Sequence, residues 1–173
     1  MRRLMLLRHA KALRAEGLRD FDRPLKSVGR EQARSIGQFM AARRLEPGFA
    51  LVSTALRARE TFDLVDIFLH PPPDRADEPL IYEATAESLF DIVRRLPARQ
   101  PSALLVGHNP AFEEIANELI ATGEKAALSH FGGRMPTAAL AVIDFEADRW
   151  KEVETRSGAL AVFATPALVE AEK

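Results

Sequence analysis

The amino-acid sequence predicts an α/β fold: a three-layer α/β/α sandwich around a mainly parallel sheet. Short apolar runs typical of buried strands alternate along the chain with segments whose apolar residues recur at helical spacing. Apolar residues make up 47% and charged residues 28% of the 173 residues. This balance is ordinary for a globular protein, and the length suits one domain spanning residues 1–173.

The first half of the chain predicts two strands, each followed by a helix. Leu4–Leu7 is a continuous apolar run and predicts the first strand. A helix is predicted from Ser27 to about Arg44, where apolar residues fall on one face. Phe49–Val52 predicts the second strand, and a helix from about Leu56 to Leu69 follows it.

The middle of the chain predicts two more strand–helix pairs. Three prolines within His70–Asp74 predict a rigid loop. Leu80–Tyr82 predicts the third strand, and the apolar spacing over Leu89–Leu96 predicts an amphipathic helix. Ala103–Val106 predicts the fourth strand. The next helix is predicted to follow an N-cap at Asn109 and to end at Gly123.

The last third predicts a hairpin, which would add an antiparallel component to the sheet. Its strands are Ala139–Phe145 and Trp150–Val153, and no structure is assigned after Arg156.

Composition excludes several classes of function. A net charge of -1 argues against an electrostatic nucleic-acid binder. The absence of cysteine excludes disulfides, thiolate zinc sites and a cysteine nucleophile. The apolar run near the start ends at Arg8, too early for a signal peptide, and no run approaches the length of a membrane span. We therefore expect a cytoplasmic protein without a membrane partner.

Polar side chains collect where the predicted strands end. They are Arg8 and His9, Ser53 with Arg57 four residues on, Glu83, and His108. In open α/β sheets, ligands bind outside the carboxyl ends of the strands, at the point where strand order reverses. Arginine forks bind phosphoryl oxygens, and nearby arginines keep a histidine ring unprotonated and nucleophilic. The set can therefore perform phosphoryl transfer without a metal or cofactor.

Several of these segments resemble motifs of one family in the same order. Leu6–Ala10 (LLRHA) resembles the Arg-His-Gly signature of the histidine phosphatase superfamily, also called phosphoglycerate mutase-like. Ser53–Thr61 (STALRARET) and Val106–Pro110 (VGHNP) resemble its arginine and second-histidine motifs. Asp22–Leu25 (DRPL) and Met135–Thr137 (MPT) are similar to the SixA-type phosphohistidine phosphatase branch.

The resemblance implies a role for each matching residue. His9 would be the nucleophile, and Arg8, Arg57 and His108 would form the phosphate pocket, with Arg23 as a further member. Ser53 is a candidate phosphate contact, although it can also simply cap the next helix.

The proton donor is not settled by the resemblance, and one residue departs from the family pattern. Glu83 lies where many relatives carry the proton donor, and Glu87 is its rival. Ala10 replaces the usual glycine, which requires an ordinary backbone angle at this position.

Chain length favours one branch of this family. Only 24 residues separate Glu83 from His108, enough for one helix and one strand but not for the large cap insert of mutases and sugar phosphatases. The expected open site suits phosphohistidine on a protein, with a small phosphomonoester as the alternative substrate.

Two further hypotheses remain. Asp20 and Asp22 could hold Mg²⁺ in a metal-dependent phosphoesterase, although no other ligands stand at a suitable spacing. The chain could also be a non-catalytic module that binds phosphorylated partners. Such a module would keep the arginines but would not need both His9 and His108.

Overall fold

One seven-stranded sheet runs through the molecule, with helices packed on both of its faces. The computed structural model describes residues 1–173. The strands are β1 (Arg2–Arg8), β2 (Phe49–Val52), β3 (Asp74–Asp77), β4 (Ser102–Gly107), β5 (Ile120–Gly123), β6 (Leu140–Phe145) and β7 (Gly158–Ala164). The helices are α1 (Ser27–Ala42), α2 (Leu56–Asp66), α3 (Ala86–Arg94), α4 (Ala111–Leu119), α5 (Lys125–Phe131) and α6 (Pro166–Ala171).

The strand order is β3-β2-β4-β1-β6-β7-β5, and β6 alone runs against the other strands. The chain passes from β1 beyond β4 to β2 and β3, and then returns to β4. Strand order therefore reverses between β1 and β4, which are neighbours in the middle of the sheet.

Both faces of the central strand β1 are buried. Leu4 and Leu6 pack with α3, α4 and α5 on one face, while Met5 and Leu7 pack with α1, α2 and α6 on the other. A strand covered on both faces is apolar at every position, which explains the continuous run in the sequence. The predicted three-layer, mainly parallel architecture is confirmed.

The third strand was predicted in the wrong segment. Leu80–Tyr82 does not form a strand, because a short 3₁₀ helix occupies Pro79–Ile81. The strand is β3, which lies at the edge of the sheet and is exposed at three of its four residues. An edge strand with so little buried surface carries no apolar run by which a sequence could reveal it. Between β3 and β4 lie only the 3₁₀ helix and α3, so the expected absence of a large insert is confirmed.

The antiparallel pairing near the end of the chain is confirmed, but its second strand was misplaced. Trp150–Glu152 is a 3₁₀ helix that buries Trp150. The strand that pairs with β6 is β7, in the segment left unassigned.

The helix predicted to end at Gly123 ends at Leu119, because Ile120–Gly123 pairs with β7 as β5. A Cβ at Gly123 would lie 2.6 Å from the Leu160 carbonyl oxygen, so glycine permits this close strand contact. The N-cap assigned to Asn109 was also one residue early, since Pro110 is at that position and the helix begins at Ala111. None of the six helices combines the length and apolar character that crossing a bilayer requires.

Candidate active site

Two histidines meet where strand order reverses. Arg8 of β1 is paired with Gly107 of β4, so the residues that follow these strands, His9 and His108, emerge side by side. Their ring centroids are 5.2 Å apart. Each residue is only 7% exposed. This is the position at which α/β sheets of this kind bind ligands.

The ring of His9 presents an unprotonated nitrogen to its neighbours. Nδ1 lies 2.8 Å from the carbonyl oxygen of Ala10, which can only accept a hydrogen bond, so Nδ1 carries the proton. Nε2 keeps its lone pair and accepts from Arg57 Nε at 3.3 Å. Burial of the ring, together with the charges of Arg57 and Arg8, lowers the pKa of His9 to about 3. The ring is therefore neutral at pH 7.

His108 is also held neutral, and Ser53 fixes its orientation. Its Nε2 lies 2.7 Å from Ser53 Oγ, while Nδ1 has no hydrogen-bond partner. Burial, followed by the charge of Arg57, lowers the pKa of His108 to about 3. Ser53 is fully buried and does not line the cavity described below, so it reaches that cavity only through His108. Ala55, not Ser53, is at the N-cap position of α2.

Arg57 is 6% exposed, and both its backbone and its guanidinium are held by hydrogen bonds. At the backbone, the Arg57 carbonyl accepts from Thr61 Oγ1 at 2.7 Å, and Thr61 Oγ1 accepts from the Ala10 amide at 3.0 Å. Thr61 therefore ties the start of α2 to the segment that carries His9. Ala10 itself does not have a positive φ, so the alanine at this position is unstrained.

Asp20 has a different role from the magnesium ligand considered above, because it holds the arginines of the site. Its carboxylate accepts from Tyr82 Oη at 2.6 Å, from Arg23 Nη1 at 2.9 Å and from Arg57 Nη2 at 3.1 Å. Arg57 Nη1 also donates to the backbone carbonyl of Asp20 at 2.7 Å. The Tyr82 hydroxyl, with Arg23 and Arg57, holds the pKa of Asp20 well below its usual range.

The magnesium hypothesis for Asp20 and Asp22 finds no support in these contacts. Asp20 is engaged by Arg23, Arg57 and Tyr82, whereas Asp22 Oδ2 accepts from Arg19 Nε at 2.6 Å. No three histidine or acidic side chains are arranged so that they could hold a metal ion together.

The segment around Met135 closes the other side of the site. Its carbonyl oxygen accepts from Arg8 Nη1 at 3.0 Å and from Asn109 Nδ2 at 2.8 Å. The Met135 amide donates to Glu113 Oε2 at 2.8 Å. These contacts give Asn109 and the MPT segment a structural role in fixing Arg8.

These side chains border an open cavity of about 470 Å³. Of the residues proposed from the sequence, the cavity lining includes Arg8, His9, Arg23, Arg57, Glu83 and His108. Glu83 reaches the cavity from the turn after the 3₁₀ helix and not from a strand end. Glu87 lies on the exposed first turn of α3, away from the lining. Lys11, Arg14, Asp20 and Tyr82 complete most of the remaining polar lining. Of these four, only Asp20 was considered from the sequence, and then as a magnesium ligand.

Comparisons of the sequence with known proteins found a family and relatives. A family model described as the histidine phosphatase superfamily (branch 1) matches residues 4–81. An uncharacterized protein of Mycobacterium tuberculosis is 32% identical over 162 residues, which cover 92% of this chain and 99% of that protein.

Solved structures of SixA proteins share the fold of this chain. A candidate phosphohistidine phosphatase SixA from Agrobacterium tumefaciens superposes with a TM-score of 0.80 and 32% identity, over 95% of this chain and 98% of that one. The protein histidine phosphatase SixA complexed with tungstate superposes with a TM-score of 0.77 over 95% of this chain and 97% of its own, at 20% identity.

Proposed function

Because this chain belongs to the histidine phosphatase superfamily, in its SixA-type branch, we propose that it hydrolyses phosphohistidine on a protein through a phosphoryl group carried on His9. One observation supports this proposal above the others. The unprotonated Nε2 of a buried, neutral His9 lies beside the Arg57 guanidinium at an open polar cavity.

The reaction takes place in two steps. In the first step, His9 Nε2 attacks phosphorus in line, the bond from phosphorus to the substrate nitrogen breaks, and the leaving imidazole takes a proton. In the second step, water attacks the phosphorus on His9, which releases inorganic phosphate and restores the ring. Dividing the transfer in this way replaces one difficult step by two easier ones.

The surrounding side chains stabilise the charge of the transferring group. Arg57 keeps two of its five N–H groups free after its bonds to His9 and Asp20, and these can bind phosphoryl oxygens. Arg8 and Arg23 add positive charge. When Ser53 donates to Nε2 of His108, the proton of that ring lies on Nδ1. Nδ1 is buried and has no hydrogen-bond partner in the protein, and it is the donor proposed for a third oxygen.

Asp20 acts in this proposal as a positioning residue. Its carboxylate and carbonyl hold the outer edge of the Arg57 guanidinium, so the edge that carries Nε stays turned toward His9. Glu83 is the group proposed to protonate poor leaving groups, because it lines the cavity and Glu87 does not.

The proposed reaction needs no metal or cofactor, since three arginines supply the positive charge that a phosphoryl transition state requires. The cytoplasmic location and the single domain over residues 1–173 remain predictions from the sequence.

The test is a substrate panel run in EDTA. Purified protein is incubated with a phosphohistidine protein and with small alkyl phosphomonoesters, and released phosphate is measured. Preferred hydrolysis of the phosphohistidine protein is expected. Preference for a small phosphomonoester would favour the alternative substrate class, and binding without turnover would indicate a non-catalytic module. Activity lost in EDTA and restored by Mg²⁺ would contradict the metal-free reaction.

A further inference from the structure

One side of the cavity is a basic wall, defined here as Lys11 and Arg14 of the segment between β1 and α1. We propose that this wall binds acidic side chains that flank the phosphorylated histidine of the protein substrate, and so selects among phosphoproteins. The inference rests on the proposed function and narrows its substrate class.

The charges that line the cavity divide into an inner and an outer set. The inner arginines Arg8, Arg23 and Arg57, offset by Asp20, leave two positive charges, which the dianion of a phosphoryl group neutralises. Lys11 and Arg14 remain as outer cations with no carboxylate at ion-pair distance. With Glu83 included, the lining holds five cations and two carboxylates, so one positive charge remains after a phosphoryl dianion has bound.

The backbone that carries the basic wall is fixed. The Lys11 carbonyl accepts from the Lys26 amide at 2.9 Å, and the Lys11 amide donates to Gln32 Oε1 at 3.1 Å. A Cβ at Gly29 would lie only 2.0 Å from the Lys11 carbonyl oxygen, so α1 packs directly against this segment. Cations held on a fixed backbone bind a partner with little loss of backbone entropy.

The segment that carries the basic wall also contacts an inner arginine directly. The Leu13 carbonyl accepts from Arg23 Nε at 2.8 Å, so the backbone between the two cations contacts an inner arginine. Leu13 itself is 37% exposed and offers an apolar contact. The lining also includes Glu83, which would repel acidic residues. An acidic segment is therefore expected to lie along the Lys11 side only.

A protein partner fits these features better than a nucleic acid. The wall contains only two cations and the chain carries a net charge of -1, whereas a nucleic-acid site needs an extended basic face. Rim charges of this kind mainly affect the association rate and its dependence on salt.

The test compares two double variants on matched peptides. Lys11→Glu/Arg14→Glu reverses the wall. Arg34→Glu/Lys125→Glu makes the same change of net charge at exposed positions outside the cavity. The substrates are a phosphohistidine peptide flanked by aspartate and glutamate, the same peptide flanked by serine, and free phosphohistidine.

For wild type, kcat/KM should be higher on the acidic peptide than on the serine peptide. The ratio of these two kcat/KM values should decrease at high salt. The wall variant should lower that ratio by roughly 10-fold, mainly through KM, given about 0.2–1 kcal/mol for each exposed ion pair. The control variant should keep the ratio. If the wall variant turns over every substrate and keeps the wild-type ratio, this inference alone is overturned. No turnover of any phosphohistidine substrate by wild type would overturn the proposed function and the inference with it.

Discussion

Two sides of one cavity differ in how they are built. The floor consists of residues that follow strands or begin a helix, namely His9, His108 and Arg57, and all three are buried. The basic wall belongs to an irregular segment, and the side chains of Lys11 and Arg14 are exposed. The floor is fixed by the register of the sheet, so small displacements there should cost catalysis. Because the side chains of the wall are exposed, they can be substituted without disturbing the fold. Substitutions there should alter the choice of substrate.

Asp20 connects the two sides. It lies on the same segment as the wall, yet its carboxylate and carbonyl hold Arg57 of the floor. The comparison therefore predicts that effects on catalysis decline from the floor, through Asp20, to the wall.

The largest effect among these variants is expected at Arg57. Arg57→Lys keeps the charge but loses the planar fork that contacts both His9 and Asp20. Loss of one such preorganised contact should lower kcat/KM by about 10²–10³. Arg59→Lys on the same helix, outside the cavity, is the matched control. Near-normal kcat/KM in Arg57→Lys would contradict a role for Arg57 in binding the phosphoryl group.

The contribution of Glu83 to catalysis should depend on the leaving group. A departing alkoxide needs a proton strongly, whereas imidazole, with a pKa of about 6.5, can be protonated from solvent before it leaves. Glu83→Gln should therefore lower kcat/KM for an alkyl phosphate by about 10², and that for a phosphohistidine protein much less. Glu87→Gln, outside the cavity, should affect neither.

Equal losses on both substrates in Glu83→Gln would mean that Glu83 acts in a step common to both, such as orienting His9. No loss on either substrate would contradict its assignment as the proton donor.

The buried histidines of the floor should also make stability depend on pH. The unfolded rings take up a proton near pH 6.5, whereas the folded rings of His9 and His108 do so at about 3. Between these values the unfolded state binds more protons, so stability present at pH 7 is lost as pH falls through 6.5. Each ring should contribute about 2 kcal/mol of this loss between pH 7 and pH 5.

Urea unfolding at pH 7 and pH 5 measures this effect. His9→Gln should lose less stability over this range than wild type, while the exposed His130→Gln should behave as wild type. Equal losses in wild type and His9→Gln would contradict a neutral His9 in the folded protein.

Asp20 should have the smallest of these effects. Asp20→Asn keeps an oxygen acceptor but removes the charge that three donors share. We expect kcat/KM to fall about 10-fold, in line with a hydrogen bond to a charged group. Asp22→Asn, which loses only the contact to Arg19, is the control. A rise in activity in Asp20→Asn would mean that the carboxylate competes with the phosphoryl group for Arg57.

The sequence reveals the floor because its residues stand next to strong local signals. His9 and His108 directly follow apolar strands, and parallel strands bring such ends together. Asp20 carries no such signal, since its role arises from contacts with Tyr82, which is 62 residues away in sequence. The edge strand β3 was missed for a related reason: it buries too little surface to need an apolar run.

The covalent intermediate on His9 is the central claim, and trapping it is the most direct test. Enzyme is mixed with substrate labelled in the phosphoryl group, quenched in alkali and mapped by peptide. The label should be acid-labile, lie on the peptide that contains His9, and be absent from His9→Ala while present in His70→Ala, whose histidine is exposed and outside the cavity. Label trapped on His9→Ala, or wild-type turnover by that variant, would contradict the account.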